Sequence, residues 1–162
     1  MGALAVCAQA ACGYQAGSFG EPASGAFAGA RATVGCLDVS VAGRWSSPGA
    51  AGQAIVIDFG NRCDRPAMVD FTALRAFGRD AAGREHRLAI YDPRREIRPL
   101  SIEARSAGRE VLELRRQAPA GTTAARVHSA CVDVGRLSGD EAAAARWLCV
   151  ARPRDARAPE AS

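Results

Sequence analysis

The chemistry open to this chain is limited first by its serines, histidines and basic residues. A nucleophilic serine needs a base beside it, and the sequence contains no Gly-x-Ser-x-Gly elbow. His128 precedes Ser129, but adjacent side chains on a strand point to opposite faces. His86 stands in a charged run and is expected to face water. Because the chain has no lysine, a Gly-Lys-Ser/Thr phosphate loop is also excluded. We therefore predict no catalytic residue and no cofactor.

Paired carboxylates are the catalytic arrangement that the sequence leaves open, because acids distant in the chain can meet in the fold. None of the acids stands in an apolar stretch that would raise its pKa. A small hydrolase is therefore the least favoured function. It would require a large apolar pocket into which acids converge.

The segment 92–99 is a candidate binding loop because it carries Arg94, Arg95 and Arg98 and two prolines that restrict it. Such a loop suits an anionic partner. A solvated turn is the simpler interpretation, since all 21 basic residues of the chain are arginine. Acids are interspersed with these arginines, and the net charge is only +4. This mixture is typical of a solvated surface, so no nucleic-acid partner is predicted.

Six cysteines divide into two in the N-terminal segment and four further on, and none forms a Cys-x-x-Cys pair. Four cysteines in one domain indicate two disulfides and an oxidising compartment. A zinc site would recruit His128, Cys131 and Cys149, but no second closely spaced ligand pair completes it. We therefore predict disulfides and no metal.

Residues 1–12 are small and apolar and read as the end of a secretory signal. Cys12 follows two alanines and precedes Gly13, a pattern that resembles the processing region of bacterial lipoproteins. The resemblance implies cleavage before an acylated Cys12, with Cys7 as the alternative, and an export signal cleaved without lipid is also open. Residues 13–31, rich in Gly, Ala and Ser, are predicted to be a flexible tether. Residues 152–162 are predicted to be a disordered tail.

Between residues 32 and 151 the apolar residues alternate with period two, as in half-buried strands. The predicted strands lie at 37–41, 55–59, 68–77, 88–90, 100–102, 111–114, 127–134 and 147–150. The pattern shifts face near Thr72, which indicates a bulge or a strand that crosses between sheets. Ser138-x-x-Glu141 is a capping box, so one short helix should precede the last strand. Seven to eight strands of this kind predict an all-β, antiparallel β-sandwich.

The run from Ile57 to Phe71 resembles the second and third strands of bacterial immunoglobulin-like modules. There, a strand that ends in asparagine, here Asn61, passes through a short polar loop into the next apolar strand. The resemblance implies an immunoglobulin-like sandwich and carries no function.

The alternation of the strands favours one disulfide pairing. Cys131 and Cys149 fall on strands that should form a hairpin centred on Asp140, and both should point to one face. Cys36 and Cys63 stand near the adjoining ends of the first two strands. We therefore predict Cys36–Cys63 and Cys131–Cys149. The crossed pairing, Cys36–Cys149 with Cys63–Cys131, stays open because all four cysteines should collect at one end of the sandwich.

The features together favour a non-catalytic envelope lipoprotein or exported interaction module that docks another envelope protein. It would be held at the outer membrane or the periplasmic face of the envelope by an N-terminal lipid. The alternative is a secreted immunoglobulin-like protease inhibitor, in which Arg94 and Arg95 would form the inhibitory loop.

Overall fold

The computed structural model describes residues 14, 15, 19, 27–45, 53–92, 96–116, 127–140 and 142–152. The described chain is built of β-strands, so the predicted all-β class is confirmed. The strands are β1 Ala30–Val34, β2 Leu37–Trp45, β3 Gln53–Asn61, β4 Ala67–Val69, β5 Arg75–Arg79, β6 Glu85–Tyr91, β7 Leu100–Ile102, β8 Ala107–Arg116, β9 Ser129–Asp133 and β10 Trp147–Ala151.

Eight strands form one antiparallel sheet in the order β1-β2-β3-β8-β6-β5-β9-β10, and β4 pairs with β7 in a second sheet. The strand β10 approaches β1 and β2, so the large sheet curls until it is nearly closed into a barrel. Curling in this way reduces the exposure of unpaired edges. The immunoglobulin-like sandwich itself stays a prediction.

The core lies inside this curled sheet and is built by the period-two alternation. Val39 and Val41 of β2 are fully buried, as is Ile57 of β3, which pairs with Val41. Leu112 and Leu114 of β8 continue the same layer. Each such aliphatic side chain stabilises the fold by about 1.5–3 kcal/mol through burial.

The predicted change of face near Thr72 corresponds to a passage between the two sheets. The chain leaves β4 in the small sheet, makes a single 3-10 turn at Phe71–Ala73 and enters β5 in the large sheet. Asp70 caps this turn by accepting the backbone N–H of Thr72 at 2.9 Å.

The predicted short helix is not present in the described part of the connection between β9 and β10. Residues 134–140 and 142–146 form turns and irregular backbone, and Glu141 lies outside the described residues. Ser138 cannot cap a helix there, because Gly139 would be its first residue and has a φ of 78°. Asp140 instead accepts the backbone N–H of Ala142 at 2.9 Å and closes a local turn.

Two disulfides cross-link the domain, and they are the pairs that the strand alternation predicts. Cys36 and Cys63 join the β1–β2 turn to the loop after β3, with Cα atoms 5.4 Å apart. Cys131 and Cys149 stand directly opposite each other on β9 and β10, with Cα atoms 4.0 Å apart.

Tyr14 lies within the predicted tether, yet it is seated on the outer face of β2 and β3. Its hydroxyl donates a hydrogen bond of 2.8 Å to the buried carboxylate of Asp38. Its backbone N–H donates to the carbonyl of Arg105, and its ring lies against Gly60, where a Cβ would clash with it. Burial and the bond to Asp38 raise the pKa of the Tyr14 phenol above its ordinary value, so the hydroxyl stays protonated and donates.

Phe19 and Phe27 complete this layer, which we call the N-terminal strap (Tyr14, Phe19 and Phe27). The ring of Phe27 lies 5.4 Å from that of Tyr14 and 5.2 Å from that of Phe19. The backbone N–H of Phe27 donates to Asp58 of β3 at 3.0 Å. Residues 1–13, 16–18 and 20–26, which include Cys7 and Cys12, lie outside the described residues, as does the predicted tail from residue 153.

Candidate functional site

One outward-facing surface of the large sheet gathers aromatic and arginine side chains. Arg75, Phe77 and Arg79 share a face of β5 because they alternate along the strand. Arg87 of β6 stands opposite Phe77 in the pairing register, and therefore on the same face. Trp147, the first residue of β10, lies against Phe77. We call these five residues the aromatic–arginine face.

The two aromatic rings of this face are in direct contact and partly open to solvent. The ring centroids of Phe77 and Trp147 are 5.0 Å apart at an interplanar angle of 60°, and Trp147 is 42% exposed. The guanidinium of Arg79 stands over the Phe77 ring at 5.5 Å and pairs with Glu85 at 2.8 Å. A cation over a ring adds about 0.5–1 kcal/mol at an exposed site, so Arg79 is partly preorganised.

A buried carboxylate, that of Asp133, holds Arg75 at the edge of this face. Asp133 of β9 is 1% exposed and accepts a hydrogen bond of 2.5 Å from Arg75. Burial alone would raise the pKa of Asp133, but the backbone N–H groups of Arg146 and Gly135, together with the Arg75 guanidinium, lower it below its ordinary value. Asp133 is therefore ionised at neutral pH and holds β5, β9 and the start of β10 together.

The Cys131–Cys149 disulfide supports the same face. Phe77 stands opposite Cys131 in the β5–β9 pairing, and Cys131 stands opposite Cys149 in the β9–β10 pairing. Trp147 therefore stands on a cross-linked strand, and Phe77 on the strand that pairs with its partner, a rigid platform of the kind that loses little entropy on binding.

A second aromatic–arginine pair lies further along the outer side of β6 and β8. The guanidinium of Arg115 stands 4.0 Å from the Tyr91 ring centroid and donates to the Tyr91 hydroxyl at 2.7 Å. Glu113, opposite Tyr91 in the register, also accepts from Arg115. Arg115 is thus satisfied locally, whereas the described residues place no carboxylate on Arg87 within ion-pair distance.

A small pocket of about 170 Å³ lies beside β7 and β8 and contains two buried acids. Asp92 and Glu110 continue the inward alternation of β6 and β8, and both are buried. Small-molecule sites are usually pockets of about 300–1,000 Å³, so this pocket falls short of the one that a hydrolase would require. It is lined by Phe71, Asp92, Glu96, Ile97, Arg98, Pro99, Leu100, Glu110 and Leu112.

The predicted arginine loop is only partly described. Arg94 and Arg95 lie outside the described residues. Arg98 lines the small pocket, is largely exposed and pairs with Glu96 at 2.6 Å. The described structure places Arg98 near that pocket and not on the aromatic–arginine face.

The two histidines are not brought beside a nucleophile in the described residues. The expectation that His86 faces water is wrong: its side chain is 16% exposed, and its Nε2 lies 3.0 Å from Asp80 Oδ2. Asp80 also accepts the backbone N–H groups of Ala82 and Arg84, so the cluster closes the turn between β5 and β6. Within the described residues there is no group of three metal-ligating side chains.

Sequence reasoning missed the aromatic–arginine face because its members come from three separate strands. Trp147 and Tyr91 stand near strand ends, where packing at the rim of the core is the usual role. The face becomes visible only from long-range contacts: the strand register sets Phe77 opposite Arg87, and the fold brings Trp147 against Phe77.

Comparison with known proteins gives no relative: no protein-family model, no curated protein and no solved structure matches the chain. Across the described part of the chain, no helix is both long and apolar enough to cross a bilayer.

Proposed function

We propose that this chain is a non-catalytic docking protein of the cell envelope that binds an acidic surface of another envelope protein through its aromatic–arginine face. The observation that carries the proposal is the exposed Trp147 ring in tilted contact with Phe77, together with Arg79 over the Phe77 ring and Arg87 opposite Phe77 in the register. Tryptophan and arginine are the residues most enriched at the energetic centres of protein interfaces.

The charge of the face favours an acidic partner. Arg75, Arg79 and Arg87 contribute three positive charges, whereas Glu85 and the buried Asp133 contribute two negative ones. Arg87 has no described acid within ion-pair distance, so it is available for a carboxylate of the partner. Complementary charge of this kind raises the rate of association and sets the orientation of the partner.

Docking by strand addition receives less support than docking on the sheet face. The edge strands β1 and β10 of the large sheet approach each other, which leaves little room for an added strand. The sheet face, by contrast, presents the contacting rings of Phe77 and Trp147 and the Arg79–Glu85 ion pair.

Export and lipid anchoring are part of the same proposal. Two disulfides are typical of proteins that fold in an oxidising compartment, which supports export. A lipid on Cys12, with Cys7 as the alternative, would place the protein at the outer membrane or the periplasmic face of the envelope. Labelling cells with an alkynyl fatty acid tests this part: Cys12→Ala should abolish the label, and Cys7→Ala should keep it.

We also infer that the fold is of immunoglobulin-like type. With β1 set aside as an addition, the orders β2-β3-β8 and β6-β5-β9-β10 correspond to strands A-B-E and C′-C-F-G of that topology. The short β6–β8 pairing then joins the two halves at one side. An experimental structure with a continuous, wide β6–β8 ladder and no separation of the halves would contradict this inference.

The docking face is tested by a photo-crosslinking amino acid placed at Phe77 or Trp147 in cells. We expect a discrete crosslinked protein from both positions and none from Ala82, an exposed control in the turn between β5 and β6. The crosslink from position 147 should be lost when Arg79 and Arg87 are both changed to Glu, because the reversed charges repel an acidic partner.

A matched control is Arg98→Glu, because Arg98, like Arg79, is exposed and paired with one glutamate. This variant should keep the crosslink. Equal crosslinking from Ala82 and Trp147, or a crosslink that survives the double charge reversal, would refute the proposed face.

A further inference from the structure

The seat of Tyr14 fixes where the chain emerges from the domain. Tyr14 is bound to Arg105 through its backbone and to Asp38 through its side chain, and both contacts lie near the end of the sheet that carries the Cys36–Cys63 disulfide. We call this end the base. It consists of the β1–β2 turn, the loop after β3, the turn before β8 and the β9–β10 connection.

Cys12 is separated from Tyr14 by Gly13 alone. Two residues of extended chain span at most about 7 Å. A lipid attached at Cys12 would therefore begin within that distance of the docked tyrosine. Cys7 precedes Tyr14 by seven positions, so a lipid on Cys7 could lie up to about 25 Å from Tyr14.

The base presents groups that suit the surface of a bilayer. Met68 is 47% exposed there and lies against Gly139 of the β9–β10 connection. Arg62 and Arg65 are exposed in the loop after β3, and no described acid lies within ion-pair distance of either side chain. The exposed Asp64 between them is paired with Arg105. At one end of a domain, an exposed apolar side chain can contact the outer part of the acyl chains while arginines contact anionic headgroups.

We propose that the base rests directly on the membrane, held there because the N-terminal strap leaves no free tether between a lipid on Cys12 and the domain. This inference deepens the proposed function and rests on its lipid anchor. The partner is the surface of a lipid bilayer. With the base on that surface, the aromatic–arginine face would be roughly perpendicular to the membrane and accessible to a neighbouring envelope protein.

The test uses the full chain with Cys7→Ser and a maleimide phospholipid coupled to Cys12, since the other four cysteines are held in disulfides. Vesicles of phosphatidylcholine and phosphatidylglycerol with brominated acyl chains quench a tryptophan that reaches them. A reporter at the base is made by Met68→Trp with both native tryptophans changed to Phe. We expect its emission to fall about twofold on these vesicles, because the base enters the interface.

Trp45 is the matched control, as the last residue of β2 at the end opposite the base. It lies eight residues from Leu37, about 26 Å along the strand. A variant that keeps only Trp45 should show no quenching when it is anchored in the same way. Equal quenching of both reporters, or none at position 68, would overturn the proposal.

A second variant separates the role of the strap from that of the lipid. Ten Gly and Ser residues inserted between Gly13 and Tyr14 leave the seat of Tyr14 intact and add slack. Quenching at position 68 should then fall at least by half, because the domain samples positions away from the surface. Unchanged quenching would contradict the role given to Tyr14. Coupling the lipid chemically keeps this outcome independent of whether cells acylate Cys12, which the fatty-acid labelling tests separately.

Discussion

The hydroxyl of Tyr14 donates a 2.8 Å hydrogen bond to Asp38, a carboxylate that also accepts the hydroxyl of Thr33 at 2.8 Å. Asp38 faces the outside of the sheet, yet it is 2% exposed because the N-terminal strap covers it. A buried carboxylate without donors is costly, so the strap and the sheet depend on each other.

Gly60→Ala tests this dependence. A methyl group at Gly60 would clash with the Tyr14 ring, so we expect a loss of about 1–3 kcal/mol in the free energy of unfolding. In a Tyr14→Ala background, Gly60→Ala should lower the free energy of unfolding much less, because the ring that the methyl group would meet is absent. Urea unfolding of the four proteins of this double-mutant cycle gives the coupling. Gly60→Ala costs that are equal in the two backgrounds would show that Tyr14 is not seated there.

Asp133→Asn should change how stability depends on acid. The pKa of Asp133 is lowered on folding, so its ionised form stabilises the native state at pH values above the ordinary carboxyl pKa of 3.8. That stabilisation is lost as the pH falls towards the lowered pKa of the folded state. At pH 7 we expect the variant to be less stable by about 2 kcal/mol, since Arg75 loses its charged partner.

The difference in the free energy of unfolding between wild type and Asp133→Asn should shrink as the pH falls below the ordinary carboxyl range. Urea unfolding at a series of pH values measures this difference. The matched control is Asp64→Asn: the pKa of Asp64 is also lowered, by the hydrogen bond from Arg105, but Asp64 is fully open to solvent. Salt screens such an exposed pair, and we expect little change. A pH-independent gap for Asp133→Asn would argue that the wild-type carboxylate is not ionised in the fold.

Removal of a disulfide should cost stability roughly in proportion to the logarithm of the loop it closes. Cys131 and Cys149 are separated by 18 positions, so replacing both with Ala should cost about 3 kcal/mol. Replacing Cys36 and Cys63, separated by 27 positions, should cost slightly more. Thermal unfolding of the two variants measures both losses. A stability unchanged by either removal would mean that the cross-link closes a loop already ordered in the unfolded chain.

The parts of the fold that could be predicted from the sequence are those set by short-range alternation. Val39 and Val41 alternate with polar residues and form β2, and the hairpin centred on Asp140 sets Cys131 opposite Cys149. These features depend only on the alternation of apolar and polar residues along a strand and on the connection between β9 and β10. They need no knowledge of distant parts of the chain.

The features that sequence could not predict depend on long-range packing. Asp38 and Asp58 alternate outward like solvent-facing residues, yet both are buried: the strap covers Asp38, and Phe27 of the strap together with Arg109 of β8 binds Asp58. The strap itself has three aromatic residues in a stretch rich in Gly and Ala, with no period that marks it as structured. The capping box at Ser138 has the right residue types, but the positive φ of Gly139 overrides it.

The central claim, that the aromatic–arginine face docks a partner, is tested most directly by the affinity of the crosslinked partner for purified variants. Trp147→Ala should weaken binding by about 2 kcal/mol or more, roughly thirtyfold in Kd, because it removes the large exposed ring of the face. Met68→Ala, which removes the other exposed large apolar side chain, should leave the Kd unchanged in the absence of membranes. A Trp147→Ala protein that binds as tightly as the wild type would contradict the account.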